Sequence, residues 1–159
     1  GEPTAHEGLP DAMRTVRAAG FEVALHTTGM FPDRFAEALE LCDWVGLDVK
    51  APFDSYPSVT GVTGGSAGPE QSLALLLKSG TDHEVRTTYR PDLLSEGQML
   101  QLAGQLKSLG VRRYVIQAAR PSGCAAERTR GSDRLWTAPV PESLTSRVAP
   151  MFEHFSIRS

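Results

Sequence analysis

The chain has 159 residues, 40% hydrophobic and 22% charged, which suits one globular domain with a genuine core. Sixteen basic against nineteen acidic side chains leave a formal charge of -3, so no basic face recommends a nucleic-acid backbone as partner. The sequence shows no apolar run of membrane-span length, no signal-peptide pattern and no initiating Met, which predicts a cytoplasmic protein with no membrane partner.

One grammar repeats along the chain. Leu9, Met13, Val16 and Ala19 fall at helical spacing, the helix stops at Gly20, and "FEVALHTTG" follows as a β-branched and apolar strand. Phe35, Leu39 and Cys42 define a second helix, with Pro32 near its start, that leads into "DWVGLDVKAP". Leu73, Leu76 and Leu77 define a third, which stops at Gly80 before "HEVRTTYRP". Met99, Leu102, Leu106 and Leu109 define a fourth, which stops at Gly110 before "RRYVIQAARP". Glycine after three of these helices is the expected left-handed cap, and the alternation implies βα units in a parallel sheet, open or barrel-like. The glycine-rich "TGVTGGSAGPE" reads as a functional loop or as a plain connector. Residues 121–159 are expected to form an irregular stretch, "PSGCAAERTRGSDRLWTAPVPE", and a last amphipathic helix through Leu144, Val148, Phe152 and Phe155, packed across the sheet. The whole chain, 1–159, then makes a single domain with its repeated units in 1–120.

Buried parallel strands are normally apolar on both faces, so polar interruptions near their C-terminal ends mark candidate chemistry. Asp48 and Lys50 are two apart and share a face, as do Arg86 with Thr88 and His26 with Thr28, while Gln117 interrupts "YVIQAA". Together they can line one pocket at the strand ends. The plainer reading makes Asp48 and Lys50 a partly buried ion pair, Arg86 its extension, Gln117 a satisfied core amide and His26 a packed histidine. The cysteines number two, without CxxC spacing, so neither a zinc site nor a redox pair is encoded. Cys42 reads as core and Cys124 as exposed, and neither is given a role.

In this order "GEPT", "LHTTG", "DWVGLDVKAP", a "TG" loop, "EVRTT" and "YVIQ" resemble the radical S-adenosyl-L-methionine (SAM) activating enzymes. The branch they resemble is the anaerobic ribonucleoside-triphosphate reductase activating protein, related to pyruvate formate-lyase activating enzyme. The resemblance implies a six-stranded partial (β/α) barrel of which this chain supplies the C-terminal four βα units. It further implies that Gly1, Glu2 and Pro3 match the family's GGEP motif at the SAM amino group and that Thr28 meets the SAM region. Lys50 would hold a carboxylate with Asp48 orienting it, and Arg86 and Gln117 would complete the SAM-binding set. The implied partners are a glycyl radical enzyme, the anaerobic ribonucleotide reductase, and a reductant such as flavodoxin or ferredoxin.

The sequence departs from that family at the CxxxCxxC loop whose three thiolates hold a [4Fe-4S] cluster. No such triplet is present, so the expectation is an N-terminally truncated portion that does not cleave SAM to a 5′-deoxyadenosyl radical by itself and carries no catalytic or metal residue of its own. Two other readings stand beside this one: a barrel lyase or aldolase using Lys50 as a Schiff base, and a non-catalytic remnant. Loss of neighbouring strands would leave the edge of "FEVALHTTG" open, with Phe21, Val23 and Leu25 beside it, and favour self-association.

Overall fold

A computed structural model describes residues 1–61, 64–119 and 139–158. The anticipated exposed Cys124, most of the irregular stretch before Glu142, and Val62 and Thr63 of the glycine-rich loop lie outside the described residues.

Five strands form one wholly parallel sheet in the order β1-β2-β3-β4-β5, confirming the α/β, barrel-like class. They are β1 (Ala24–Thr27), β2 (Trp44–Asp48), β3 (Asp82–Tyr89), β4 (Arg113–Ala118) and β5 (His154–Arg158). The helices are α1 (Leu9–Ala18), α2 (Pro32–Leu39), α3 (Tyr56–Thr60), α4 (Ala67–Ser79), α5 (Glu96–Ser108) and α6 (Glu142–Val148). Parallel crossovers are almost always right-handed, so a strand order that only advances returns every connecting helix on the same side of the sheet. That side is the core. Leu25, Val45, Leu47, Val85, Tyr114 and Ile116 point into it and meet Phe35, Leu73, Leu76, Met99, Leu102, Leu106 and Leu144 from the helices.

Local chemistry explains where the elements start and stop. Pro32 opens α2 with its φ already helical and its missing N–H unneeded. Ser95 caps α5 reciprocally, its hydroxyl accepting from the Gln98 amide at 3.2 Å while Gln98 Oε1 accepts from the Ser95 amide at 3.0 Å. The three anticipated cap glycines, Gly20, Gly80 and Gly110, have φ of +87°, +76° and +94°. Asp43 fixes the entry to β1 and β2 by accepting from the Val23 amide and from Arg17, both at 2.7 Å.

The C-terminal reading needs correction. Leu144 and Val148 lie on α6 as expected, but the helix passes into a 3-10 turn, Ala149–Met151, and the chain then makes β5. Pro150 cannot donate a helical hydrogen bond, and beyond it Phe155 and Ile157 alternate with His154, Ser156 and Arg158 at the period of a strand. Phe152 and Phe155 therefore pack on Tyr114, at ring separations of 4.9 and 6.3 Å, instead of continuing an amphipathic helix. The tail extends the sheet rather than crossing it.

The edge expectation is met in part. Among the described residues β1 is a terminal strand bonded only to β2, and Phe21 is 69% exposed, but Val23 and Leu25 are buried against the helices. Amide exchange should accordingly be at least about tenfold faster at Ala24–Thr27 than at Trp44–Asp48, measured by NMR; equal protection of the two strands would contradict the edge assignment.

Candidate functional site

With all helices on one side, the alternate residues of each strand face the other way. On this polar face the register places His26 beside Gly46, Gly46 beside Glu84, Asp48 beside Arg86, Arg86 beside Val115, and Thr88 beside Gln117, which in turn neighbours Arg158. Of these, His26, Asp48, Arg86, Thr88 and Gln117 are the polar interruptions that the strand patterns show.

Two clusters sit at the strand ends. The first is built on Glu2. Its Oε1 accepts from the Thr4 amide at 3.1 Å, the Thr4 hydroxyl at 2.6 Å and the Thr27 hydroxyl at 2.6 Å. Its Oε2 accepts from the Thr28 amide at 2.8 Å and the Thr28 hydroxyl at 2.5 Å. A carboxylate offers about four lone-pair sites, and five donors fill them. Burial alone would raise this carboxyl; the hydroxyls of Thr27, Thr28 and Thr4 and the Thr28 amide overcome that and hold it down to about 2. Glu2 thus ties the 3-10 turn Pro3–Ala5 to the end of β1. Both of its oxygens are engaged by these donors.

The turn that follows is equally constrained. Gly29 has φ of +69°, its carbonyl accepts from the buried Ser72 hydroxyl at 2.8 Å, and a methyl built on it would meet Ser72 Cβ at 2.8 Å. The loop after β1 is therefore clamped on α4.

The second cluster joins β2 and β3. Asp48 Oδ2 accepts from Lys50 Nζ at 3.0 Å, and Asp48 Oδ1 accepts from Arg86 Nε at 2.8 Å. Arg86 is mostly buried, with 12% of its side chain exposed, against 35% for Lys50. The backbone beneath is fixed by the Lys50 amide donating to Tyr56 Oη at 3.1 Å and by the Thr87 hydroxyl donating to the Val49 carbonyl at 2.8 Å. Burial, opposed by the Lys50 amide and aided by Asp48, pushes the Tyr56 phenol up to about 12, so it stays a neutral acceptor. Next to Lys50 a cavity of about 240 Å³ opens among Val59, Thr60, Thr88, Arg90, Leu93 and Leu94. A larger cleft of about 450 Å³ lies at the opposite ends of the strands, among Asp82, His83, Arg113 and His154, away from this chemistry.

The expected residues thus fall into groups. Asp48 is in contact with both Lys50 and Arg86, as both the ligand-pocket and the ion-pair readings require. Glu2, Pro3 and Thr28 form the neighbouring knot, with Gly1 exposed before it. Gln117 lies on the same face but on β4, next to Thr88 rather than against Asp48. Sequence reasoning passes over Thr4 and Thr27, whose buried hydroxyls complete the Glu2 knot, and the Glu84–Arg158 pair, which has two contacts of 2.5 and 2.8 Å across β4. The doubled threonine of "HTTG" carries a signal for the first, since neighbouring strand residues point to opposite faces and both have hydroxyls. Lys50 is engaged as an ion-pair donor, which speaks against a Schiff-base nucleophile in a dry pocket.

The donor set does not fit an iron-sulfur cluster. Cys42 follows α2 on the core side, its thiol donates to the Ala38 carbonyl at 3.3 Å, and burial with Asp43 nearby pushes it up to about 11. Among the described residues no group of three metal-ligating side chains exists, and no helix is long and apolar enough to cross a membrane.

Comparison with known proteins bears on this face. No family profile matches the sequence. Over 130 residues the chain is 29% identical to a Methanocaldococcus jannaschii protein assigned by name to the glycyl-radical enzyme activating enzymes. That alignment takes in 76% of this chain and 52% of that protein, so the chain spans about half the length of the curated relative it matches. Among solved structures, a domain of pyruvate-formate lyase-activating enzyme from Bacteroides vulgatus superposes with a TM-score of 0.75 at 18% identity, over all of this chain and 95% of that domain. Streptococcus suis SuiB bound to S-adenosylmethionine superposes at 0.64 with 12% identity, over all of this chain and 36% of SuiB. These structures share the fold of this chain.

Glu2→Gln removes the charge that its donors are arranged around, and it is expected to cost about 1–2 kcal/mol, discounted because the carboxyl is only partly buried. Since the folded value lies below the ordinary 4.5, the wild-type advantage should be complete above about pH 4.5 and fade as pH falls toward about 2. Urea unfolding at neutral and acidic pH measures both. A variant as stable as wild type at neutral pH would remove Glu2 from this role.

Proposed function

We propose that this chain is the SAM-holding part of a radical SAM activating enzyme that acts on a glycyl radical enzyme, with the anaerobic ribonucleotide reductase as the partner. The observation that carries this reading is the placing, at the ends of the neighbouring strands β1 and β2, of the Glu2–Thr28 knot and the Asp48–Lys50–Arg86 cluster. Those are the segments on which the family resemblance rests. The similarity to an activating enzyme over 76% of the chain supports it.

In this reading Lys50 and Arg86 present charge-assisted donors to the ligand carboxylate, while Asp48 holds both in place and cancels part of their charge. Glu2 acts through Thr28 by fixing the end of β1, and Thr88 and Gln117 offer further polar contacts along the same face. SAM and a [4Fe-4S] cluster supply the radical chemistry when both are bound. The chain's own residues hold no cluster, and no step through one is assigned to them. The whole protein would draw its electron from a flavodoxin or ferredoxin.

Calorimetric titration with SAM tests the reading. Binding should be measurable, and Lys50→Ala should weaken it by about tenfold or more while lowering the urea midpoint only slightly, as expected of a partly exposed ion pair whose acid keeps Arg86 as a second partner. Undetectable binding at about millimolar SAM, or full affinity in Lys50→Ala, would overturn it.

A further inference from the structure

His26 is a titratable residue on the polar face that neither cluster uses. Its ring extends from β1 across Gly46 of β2: a methyl at Gly46 would lie 2.5 Å from His26 Nδ1 and 2.9 Å from Trp44 Cη2. Trp44 meets the imidazole edge-on, with centroids 5.3 Å apart and planes at 75°. Gly46 leaves this space, and the imidazole lies along the sheet over it. The ring is nevertheless exposed, and neither nitrogen has a hydrogen-bond partner among the described residues. A supported, unpaired imidazole one step deeper than Asp48 is placed to face whatever occupies the polar face.

The charges around it decide in which form. Asp48 on β2 is claimed by Lys50 and Arg86, and Glu84 on β3, only 3% exposed, is claimed at both oxygens by Arg158 of β5. Three cations against two anions leave this set with an excess of positive charge even while His26 is neutral. Burial, then Arg86, lowers the imidazole from its ordinary value, against the opposing pull of Asp48 and Glu84. SAM carries a fixed positive charge on its sulfonium, so a protonated His26 would repel it, whereas a neutral one offers a nitrogen lone pair and an N–H.

Resting on the SAM-binding reading above, we infer that His26 is a specificity-determining residue of the polar face: as a neutral imidazole it admits a sulfonium ligand, and its protonation excludes that ligand selectively over the uncharged thioether. S-adenosylhomocysteine, which lacks the sulfonium methyl and its charge but keeps the same amino and carboxyl groups, is the matched probe. A unit charge within about 6 Å of another at the face of a protein changes affinity by about tenfold or more.

The experiment measures SAM and S-adenosylhomocysteine binding by calorimetry between about pH 8 and about pH 5, for the wild-type chain and for His26→Gln. The expected result is a loss of about tenfold or more in SAM affinity at the acidic end for wild type, a change of less than about threefold for the thioether, and a flat SAM profile in His26→Gln. Linkage demands the reciprocal effect, that saturating SAM lowers the pH at which His26 titrates by NMR while S-adenosylhomocysteine does not; this needs no variant. Equal acid sensitivity for the two ligands, an unchanged profile in His26→Gln, or an unmoved His26 titration would overturn the inference while leaving SAM binding intact. Failure of both ligands to bind at any pH would instead overturn the SAM-binding reading and this inference together.

Discussion

With every crossover returning on the same side, half of the sheet's side chains have helices to pack against and the other half must satisfy one another. That asymmetry governs the molecule. On the core side Leu25, Leu47, Val85 and Ile116 are buried. On the polar side the same strands carry His26, Asp48, Glu84, Arg86 and Gln117; Asp48 and Glu84 are each met by an arginine from another strand, and Asp48 also by Lys50 two residues on. A charge taken out of water is tolerated when partners of opposite sign and hydrogen bonds meet it, and Glu84 and Asp48 each have theirs.

The Glu2 knot and the Asp48 cluster solve different problems at neighbouring strand ends. Glu2 collects five donors and so makes an ordered start to β1 and its following loop, at the expense of its own availability. Asp48 spends its two oxygens on Lys50 and Arg86, which leaves cationic groups with further N–H donors near the small cavity beside Lys50. One acid builds the frame; the other aims the cations.

Much of the fold was legible in the sequence because helical and strand periods are local properties. Leu73, Leu76 and Gly80 announce a helix and its cap, and "DWVGLDVKAP" announces a strand whose Asp48 and Lys50 share a face. The misreading at Phe152 and Phe155 has a physical origin: four apolar residues at helical spacing were read through Pro150, where the period changes from 3.6 to 2. Pro150, with the alternating His-Phe-Ser-Ile-Arg of 154–158 shortly after it, was the available signal.

The sequence by itself determined the first four helix–strand units, the parallel class and the polar residues His26, Asp48, Arg86 and Gln117 on their strands, because each depends on neighbours within about ten positions. Tertiary structure alone decided the partners. Glu84 meets Arg158 from 74 residues away, Thr27 and Thr28 saturate Glu2 from 25 and 26 away, and Gly46 matters only because a histidine on another strand lies over it. Register and strand order set these meetings, and no spacing along one strand encodes which residue its neighbour will present.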